Sequence, residues 1–252
     1  MTLSTSYDLR DPPIVAVSVV LPAFNEQLIL SSTVSDITAH LRASAISFEI
    51  LIVENGSTDG TLKLAAVLSA TYPEVRHLRL KEGNYGEALL QGIVSAQGSS
   101  IVTFDVDLYD FVFFDRALSL IESDETDLVI ASKRVAGASD LRPLPRRILT
   151  FGFAILIKQL IDLPVADAHG MKVIRRRSVI DLLPKCVMRG GLFDVELVIR
   201  ASQMGVRITE IPVTVRELRP ARTGVARRTV EAITGAVQLR NILRREAAHS
   251  PK

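Results

Sequence analysis

The 252-residue chain contains one cysteine and no tryptophan, and only 5% of its residues are aromatic. A lone Cys186 closes no internal disulfide and fits no zinc-ligand spacing, which points to a reducing compartment. Few aromatics accompany the arginines and no recognition motif is present, so a nucleic-acid role ranks last. Long apolar runs are also missing. The longest, ILTFGFAILIKQLI at 148–161, is interrupted by Lys158. As a helix it reaches about 21 Å at 1.5 Å per residue, against roughly 30 Å for a bilayer core. No transmembrane segment is expected. The opening MTLSTSYDLRDPP lacks the charged start and apolar centre of a signal peptide, so the expected location is the cytosol. Neither G-x-x-x-x-G-K followed by Ser or Thr, nor G-x-G-x-x-G after the first strand, occurs, and P-loop and dinucleotide-oxidoreductase chemistry lose their main support. No internal repeat or low-complexity tract is visible.

What is present suits a folded protein. With 48% hydrophobic residues, the chain can bury the core of one large domain or two small ones. Its formal net charge of +2 conceals a segregation: residues 1–130 hold 7 Lys/Arg and 18 Asp/Glu, residues 131–252 hold 23 and 10. A basic half of this kind suits an anionic partner such as phosphate groups or a membrane surface; the plainer alternative is that the two halves attract one another. Arg142, Arg146 and Arg147 precede the 148–161 stretch, which reads equally as a helix lying in a membrane interface and as a buried core helix.

Two periodicities alternate through the first 130 residues. VAVSVVL (15–21), FEILIV (48–53) and SIVTF (100–104) are continuous apolar runs of strand length. VRHLRL (75–80) alternates like an edge strand, and DLVIA (127–131) is a fifth. Helical patterns run from about Glu26 to Arg42, Thr58 to Ala70 and Asn84 to Ala96. The resulting βαβαβαβαβ order predicts an α/β fold with a mostly parallel sheet flanked by helices, and such sheets bind ligands at their strands' carboxyl ends. The turn-rich AGASDLRPLP (136–145) coincides with the charge switch and is the natural boundary between residues 1–135 and 136–252, within what reads as one continuous domain. Beyond it the pattern predicts a helix at 148–161, a strand near GMKVI (170–174), a helix around Val195 to Gln203, VRITEIPVTV (206–215) broken at Pro212, and a basic amphipathic helix from Val225 to Glu246.

Three polar clusters fall at strand ends. After SIVTF stands DVD, in which Asp105 and Asp107 point to opposite faces unless the backbone turns. If it turns, both reach one hard cation, and Mg²⁺ or Mn²⁺ favours oxygen ligands from carboxylates, water and substrate phosphates. In LPAFNEQ (21–27), Pro22 fixes the chain as it leaves the sheet, and Asn25 and Glu26 are candidate helix caps. In ENGSTDGT (54–61), Gly56 permits a tight turn and Ser57 or Thr58 can cap the next helix, whose amides favour an anion.

In this order, VSVVLPAFNE, LIVENGSTDGT, KEGNYGEALLQGI and TFDVDL resemble the family 2 glycosyltransferases, inverting enzymes of the GT-A fold, over about the first 135 residues. A weaker likeness to the dolichol-phosphate or polyprenyl-phosphate sugar transferase branch lies in the 148–161 helix, VADAHGMKVIRR (165–176), LFDVELVIRASQMGVRITEIPV (192–213) and RPARTGVARR (219–228). The resemblance implies a nucleotide-sugar donor lined by Pro22, Phe24 and Glu26, with Glu54 and Asn55 near its base or ribose. It implies a divalent metal, Mg²⁺ or Mn²⁺, held by Asp105 and Asp107. The chain departs from the family where Glu54-Asn55 replaces a more usual aspartate pair and Phe24 a tyrosine, and it lacks the Q-x-x-R-W signature of processive synthases.

The acceptor decides what else is needed. A hydroxyl nucleophile requires a general base, for which Asp194 or Glu196 is the candidate; about 200° apart on a helix, only one of them faces the site. A polyprenyl phosphate is already an oxyanion and calls instead for basic residues. Lys133 and Arg134, expected on the donor side as well, with Arg175, Arg219, Arg222, Arg227 and Arg228, form that set. His169, beside Asp167, reads first as structural and second as a phosphate contact. Transfer to polyprenyl phosphate at the cytosolic membrane face is the leading expectation; a soluble or glycan hydroxyl acceptor, and a non-catalytic nucleotide-sugar or membrane-binding module, are the alternatives.

Overall fold

The computed structural model describes residues 13–161, 163–215 and 225–249. Its strands are β1 (Val15–Ala23), β2 (Phe48–Asn55), β3 (Val75–Leu80), β4 (Gly98–Thr103), β5 (Leu128–Ser132), β6 (Ser139–Asp140), β7 (Lys172–Arg175), β8 (Ile208–Pro212) and β9 (Thr214–Val215). Its α-helices are α1 (Leu30–Ala43), α2 (Thr61–Thr71), α3 (Tyr85–Ser95), α4 (Phe111–Glu122), α5 (Leu144–Ile161), α6 (Phe193–Gln203) and α7 (Val225–His249). Seven strands form one sheet in the order β3-β2-β1-β4-β7-β5-β8, and β6 pairs with β9 apart from it. The mostly parallel α/β architecture is the expected one, and VRHLRL is indeed an edge.

Alternation along β1 explains the layers. Val17, Val19 and Leu21 face one side, packing with Leu30, Val34 and Ile37 of α1 and Phe113 and Phe114 of α4. Val20 faces the other, with Leu89 and Ile93 of α3 and Val195 and Val198 of α6. A strand covered on both faces has to be apolar throughout, which is why these runs do not alternate with polar residues.

The central surprise is β7. It runs antiparallel between β4 and β5, with Thr103 opposite Lys172 and Ser100 opposite Arg175. The reversal carries Lys172 to the carboxyl end of β4 and Arg175 to its amino end. Arg175 there contacts Asp124 at 2.9 Å and Asp127 at 3.0 Å. Arg207 joins them, 2.8 Å from Asp127, and its guanidinium is the main cause that pulls the Asp127 carboxyl down to about 2. Placing Arg175 among acceptor-binding residues is therefore corrected: it staples the opposite rim, and part of the charge segregation is spent joining the acidic and basic halves.

The expected caps are corrected too. Helix α1 begins at Leu30 without a side-chain cap, and Asn25, with φ 56°, accepts instead from the Thr58 amide at 2.8 Å. The Asn25 amide donates to Ser57 Oγ at 3.0 Å and that of Glu26 to Thr61 Oγ1 at 2.8 Å. At α2 the Thr61 amide donates to Asp59 Oδ1 at 2.9 Å. Asn25, Ser57 and Thr58 thus lace two loops together rather than cap helices, because both helices start later than the periodicity suggests. The single thiol, Cys186, is buried, and burial pushes it up to about 12, so it is inert at neutral pH.

Candidate active site at the carboxyl rim

Pro22 prepares the rim. Val20 accepts from the Phe104 amide at 3.1 Å, so β1 positions 20 and 22 both face β4. Pro22 has no amide to offer there, and β4 is released to turn. It does so at once: the Asp105 amide donates to Leu108 O at 3.2 Å and the Leu108 amide to Asp105 O at 3.1 Å. Val106, 2% exposed, plugs the core, and its carbonyl accepts from Thr33 Oγ1 at 2.7 Å. The turn breaks strand alternation at the two carboxylates, leaving Asp105 partly buried and Asp107 exposed.

Burial raises the Asp105 carboxyl to about 6, with Asp107 and Asp194 adding to the rise and Tyr85 and Lys172 opposing it. A carboxyl raised this way favours the fold while protonated, and that stability is lost as pH rises through about 6. At neutral pH the turn holds a charge in poor solvent beside two others, which is the setting in which a cation is favoured. Two carboxylate side chains on one turn suit a hard divalent ion whose remaining positions go to water and phosphate oxygens. Among the described residues, no group of three His, Cys, Asp or Glu side chains could hold a metal.

Helices α3 and α6 bring the other groups. Tyr85 Oη donates to Asp105 Oδ1 at 3.0 Å. Packing around that hydroxyl, then the Asp105 and Asp194 charges, raise its pKa well above the usual value, so Tyr85 remains a donor. Asn84 caps α3, its Oδ1 accepting from Glu87 N at 3.1 Å and Gly190 N at 2.8 Å, while its own amide donates to Asn55 Oδ1 at 2.7 Å. At Gly86 a Cβ would lie 2.5 Å from Gly190 O and 2.8 Å from Phe193 Cβ; the close approach sets the start of α6, and with it Asp194.

The two candidate bases separate. Asp194, 3% exposed, is 2.7 Å from Lys172 Nζ and within electrostatic reach of Asp105. Glu196 turns inward, accepting from the amides of Val187 at 2.9 Å and Met188 at 2.6 Å and from Arg200 Nε at 2.8 Å. Its candidacy as a base is corrected on that ground: both oxygens are spent holding the fold.

On the donor side, Phe24 is 44% exposed at the end of β1, its ring beside Gly83. Glu54 and Asn55 are buried; Glu54 accepts from Ser57 N at 2.5 Å, so the pair shapes the loops at the rim. Glu26 is partly exposed there. Lys133 Nζ lies 2.5 Å and Arg134 Nε 4.0 Å from Asp167, and Arg134 sits over the Phe151 ring at 5.7 Å. Glu210 of β8 accepts from Ala166 N at 2.8 Å and Asp167 N at 3.0 Å, pinning this loop. His169 Nε2 is 3.1 Å from Gly191 O, and burial lowers its pKa. Arg219 and Arg222 lie outside the described residues; Arg227 and Arg228 fall in α7, their side chains outside them as well. Lys172, Tyr85 and Asn84 join the site although the sequence alone assigns none of them a role: Asn84 and Tyr85 lie within KEGNYGEALLQGI, and a lysine inside the apolar GMKVI was a visible signal.

Comparison with known proteins bears on the family and the fold. Residues 18–183 match the model of the family described as Glycosyl transferase family 2. A dolichyl-phosphate beta-glucosyltransferase from Dictyostelium discoideum is 28% identical over 239 residues, covering 88% of this chain and 73% of that protein. The protein of the same name from Saccharomyces cerevisiae is 26% identical, covering 86% and 72%. Glycosyltransferase AglD from Haloferax volcanii is 28% identical over 79% of this chain and 33% of that one. Among solved structures, glucosyl-3-phosphoglycerate synthase from Mycobacterium tuberculosis, in complex with Mn²⁺, UDP-glucose and phosphoglyceric acid, shares the fold with a TM-score of 0.66 at 20% identity, over 90% of this chain and 79% of that one.

Proposed function

This chain belongs to glycosyl transferase family 2, and we propose that it moves a sugar from a GDP- or UDP-sugar to a polyprenyl phosphate with inversion at the anomeric carbon. The observation that carries the reading is the 105–108 turn, which sets Asp105 and Asp107 at the carboxyl rim, with Asp105 within electrostatic reach of Asp194. The names of the dolichyl-phosphate relatives support the acceptor class.

Asp105 and Asp107 would hold Mg²⁺ or Mn²⁺, which supplies charge neutralisation at the departing diphosphate. Phe24 would present the exposed part of its ring to the nucleotide, and Glu54 and Asn55 fix the loops around it. Tyr85 orients Asp105. An acceptor phosphate oxygen forms the new bond to the anomeric carbon as the bond to the diphosphate oxygen breaks on the opposite face. No proton has to be removed from such a nucleophile. Lys133 and Arg134, held by Asp167 at the same rim, are placed to meet phosphate charge. The test is a donor screen with a polyprenyl phosphate: an organic-extractable sugar lipid with release of nucleoside diphosphate is expected, and a solely water-soluble glycoside would transfer the assignment to a hydroxyl acceptor with Asp194 as base.

A membrane-side acceptor also needs a surface to approach. No helix among the described residues is long and apolar enough to cross a membrane. Helix α5 nevertheless exposes Leu144 at 63%, Phe151 at 59% and Ile155 at 43%, with exposed Arg147 and Lys158 on the same helix. That is the make-up of an interfacial helix, and the Arg134–Phe151 contact ties it to the rim. Because the chain has no tryptophan, Phe151→Trp gives a clean reporter. Its emission is expected to shift to shorter wavelength with vesicles containing anionic lipid and to return at high salt; emission indifferent to vesicles would remove α5 from the interface.

A further inference from the structure

Lys172 is 0% exposed in the centre of the sheet. An ammonium cut off from water has to be matched by fixed acceptors, and it has two: Asp194 Oδ1 at 2.7 Å and Gly170 O at 2.9 Å. Buried ion pairs of this kind are often replaceable by well-packed apolar residues without loss of stability, so a reason other than stability is called for. Position supplies one. Lys172 pairs with Thr103, two residues before Asp105, and Asp194 stands in the first turn of α6. The charges of both bear on Asp105. Three carboxylates, Asp105, Asp107 and Asp194, therefore share the rim with a cation underneath that cannot itself reach a ligand.

We propose that Lys172 is a positioning residue: its buried ammonium clamps the Asp194 carboxylate in one orientation toward the reacting groups and supplies the fixed positive charge against which the metal-binding carboxylates are balanced. The inference rests on reading Asp105 and Asp107 as the metal and donor site. It gives Asp194, rather than Glu196, a part in turnover that needs no proton transfer: its fixed carboxylate charge bears on Asp105 and so on the ion and diphosphate that Asp105 would meet. It also gives the antiparallel insertion of β7 a functional consequence, because a parallel strand would carry Lys172 to the other rim.

The test uses the full chain and Mn²⁺ alone as probe, with free ion followed by electron paramagnetic resonance. Removing a positive charge close to the carboxylates, in Lys172→Met, is expected to tighten Mn²⁺ binding about tenfold. Turnover, assayed with the donor and acceptor that the unaltered protein uses, is expected to fall on the order of 100-fold with donor KM little changed, since a loosened Asp194 is misplaced rather than absent. Lys172→Arg, which restores the charge, returns the affinity but not the full kcat. Should Lys172→Met fail to fold, Asp194→Asn keeps an acceptor for the ammonium and removes the negative charge instead; Mn²⁺ binding then weakens about tenfold and kcat falls. Folded variants with unchanged Mn²⁺ affinity and unchanged kcat would overturn the inference and leave the transferase reading standing. An unaltered protein that binds no Mn²⁺ would remove the site on which both depend.

Discussion

Asp107→Ala is expected to lower sugar transfer on the order of 10³-fold, the size of effect seen when a group that stabilises transition-state charge is lost, with no change in melting temperature. Asp107 is exposed on the 105–108 turn, so truncating it leaves no buried partner unsatisfied. What would disappear is one of the two carboxylates proposed to hold the ion, and with it part of the offset to charge growing on the departing diphosphate. Asp105→Ala is a less clean experiment, because it also strips Tyr85 of its acceptor. Steady-state turnover paired with a thermal melt separates the two effects. A variant of Asp107 that retains full activity with Mn²⁺ would refute the assignment of the carboxylate pair.

Glu196→Ala is expected to do the reverse, costing about 3–5 kcal/mol of folding stability, as removal of one partner from a buried ion pair does. Glu196 is 0% exposed and holds two loop amides and Arg200. Arg200 in turn reaches Glu246 of α7 at 2.8 Å, so the change also loosens the C-terminal helix. A drop in denaturation midpoint is the expected readout. Asp194→Asn, two residues away, leaves the buried Lys172 ammonium an amide oxygen but no counter-charge; some loss of midpoint is expected there too, with the larger effect in turnover. If the two variants behaved alike, the separation of a structural from a site-facing carboxylate on α6 would fail.

The contrast shows where the sequence was sufficient. Spacing alone established that Asp194 and Glu196 diverge, but choosing between them required the Gly86–Gly190 contact that fixes the start of α6. The strands 15–21, 48–53, 100–104 and 127–131 were legible because burial on both faces demands unbroken apolar runs, 75–80 because an edge strand alternates, and DVD because it closes one of the apolar runs. The direction of β7 was not, since GMKVI has the same composition whichever way it runs. From that one ambiguity follow both the misplacing of Arg175 and the silence about Lys172. Asn25, Ser57 and Thr58 misled for a different reason: residues that suit helix caps equally suit loop-to-loop hydrogen bonds, and only the late starts of α1 and α2 decide which is made.

A divalent ion joining the Asp105–Asp107 turn to a donor diphosphate is the junction on which the proposed transfer depends, and calorimetric titration of UDP and GDP with Mn²⁺ or with chelator measures it directly. Binding of one nucleotide that requires the ion and vanishes in Asp107→Ala is the predicted result. Equal binding with chelator present, or undiminished binding by the variant, would contradict it.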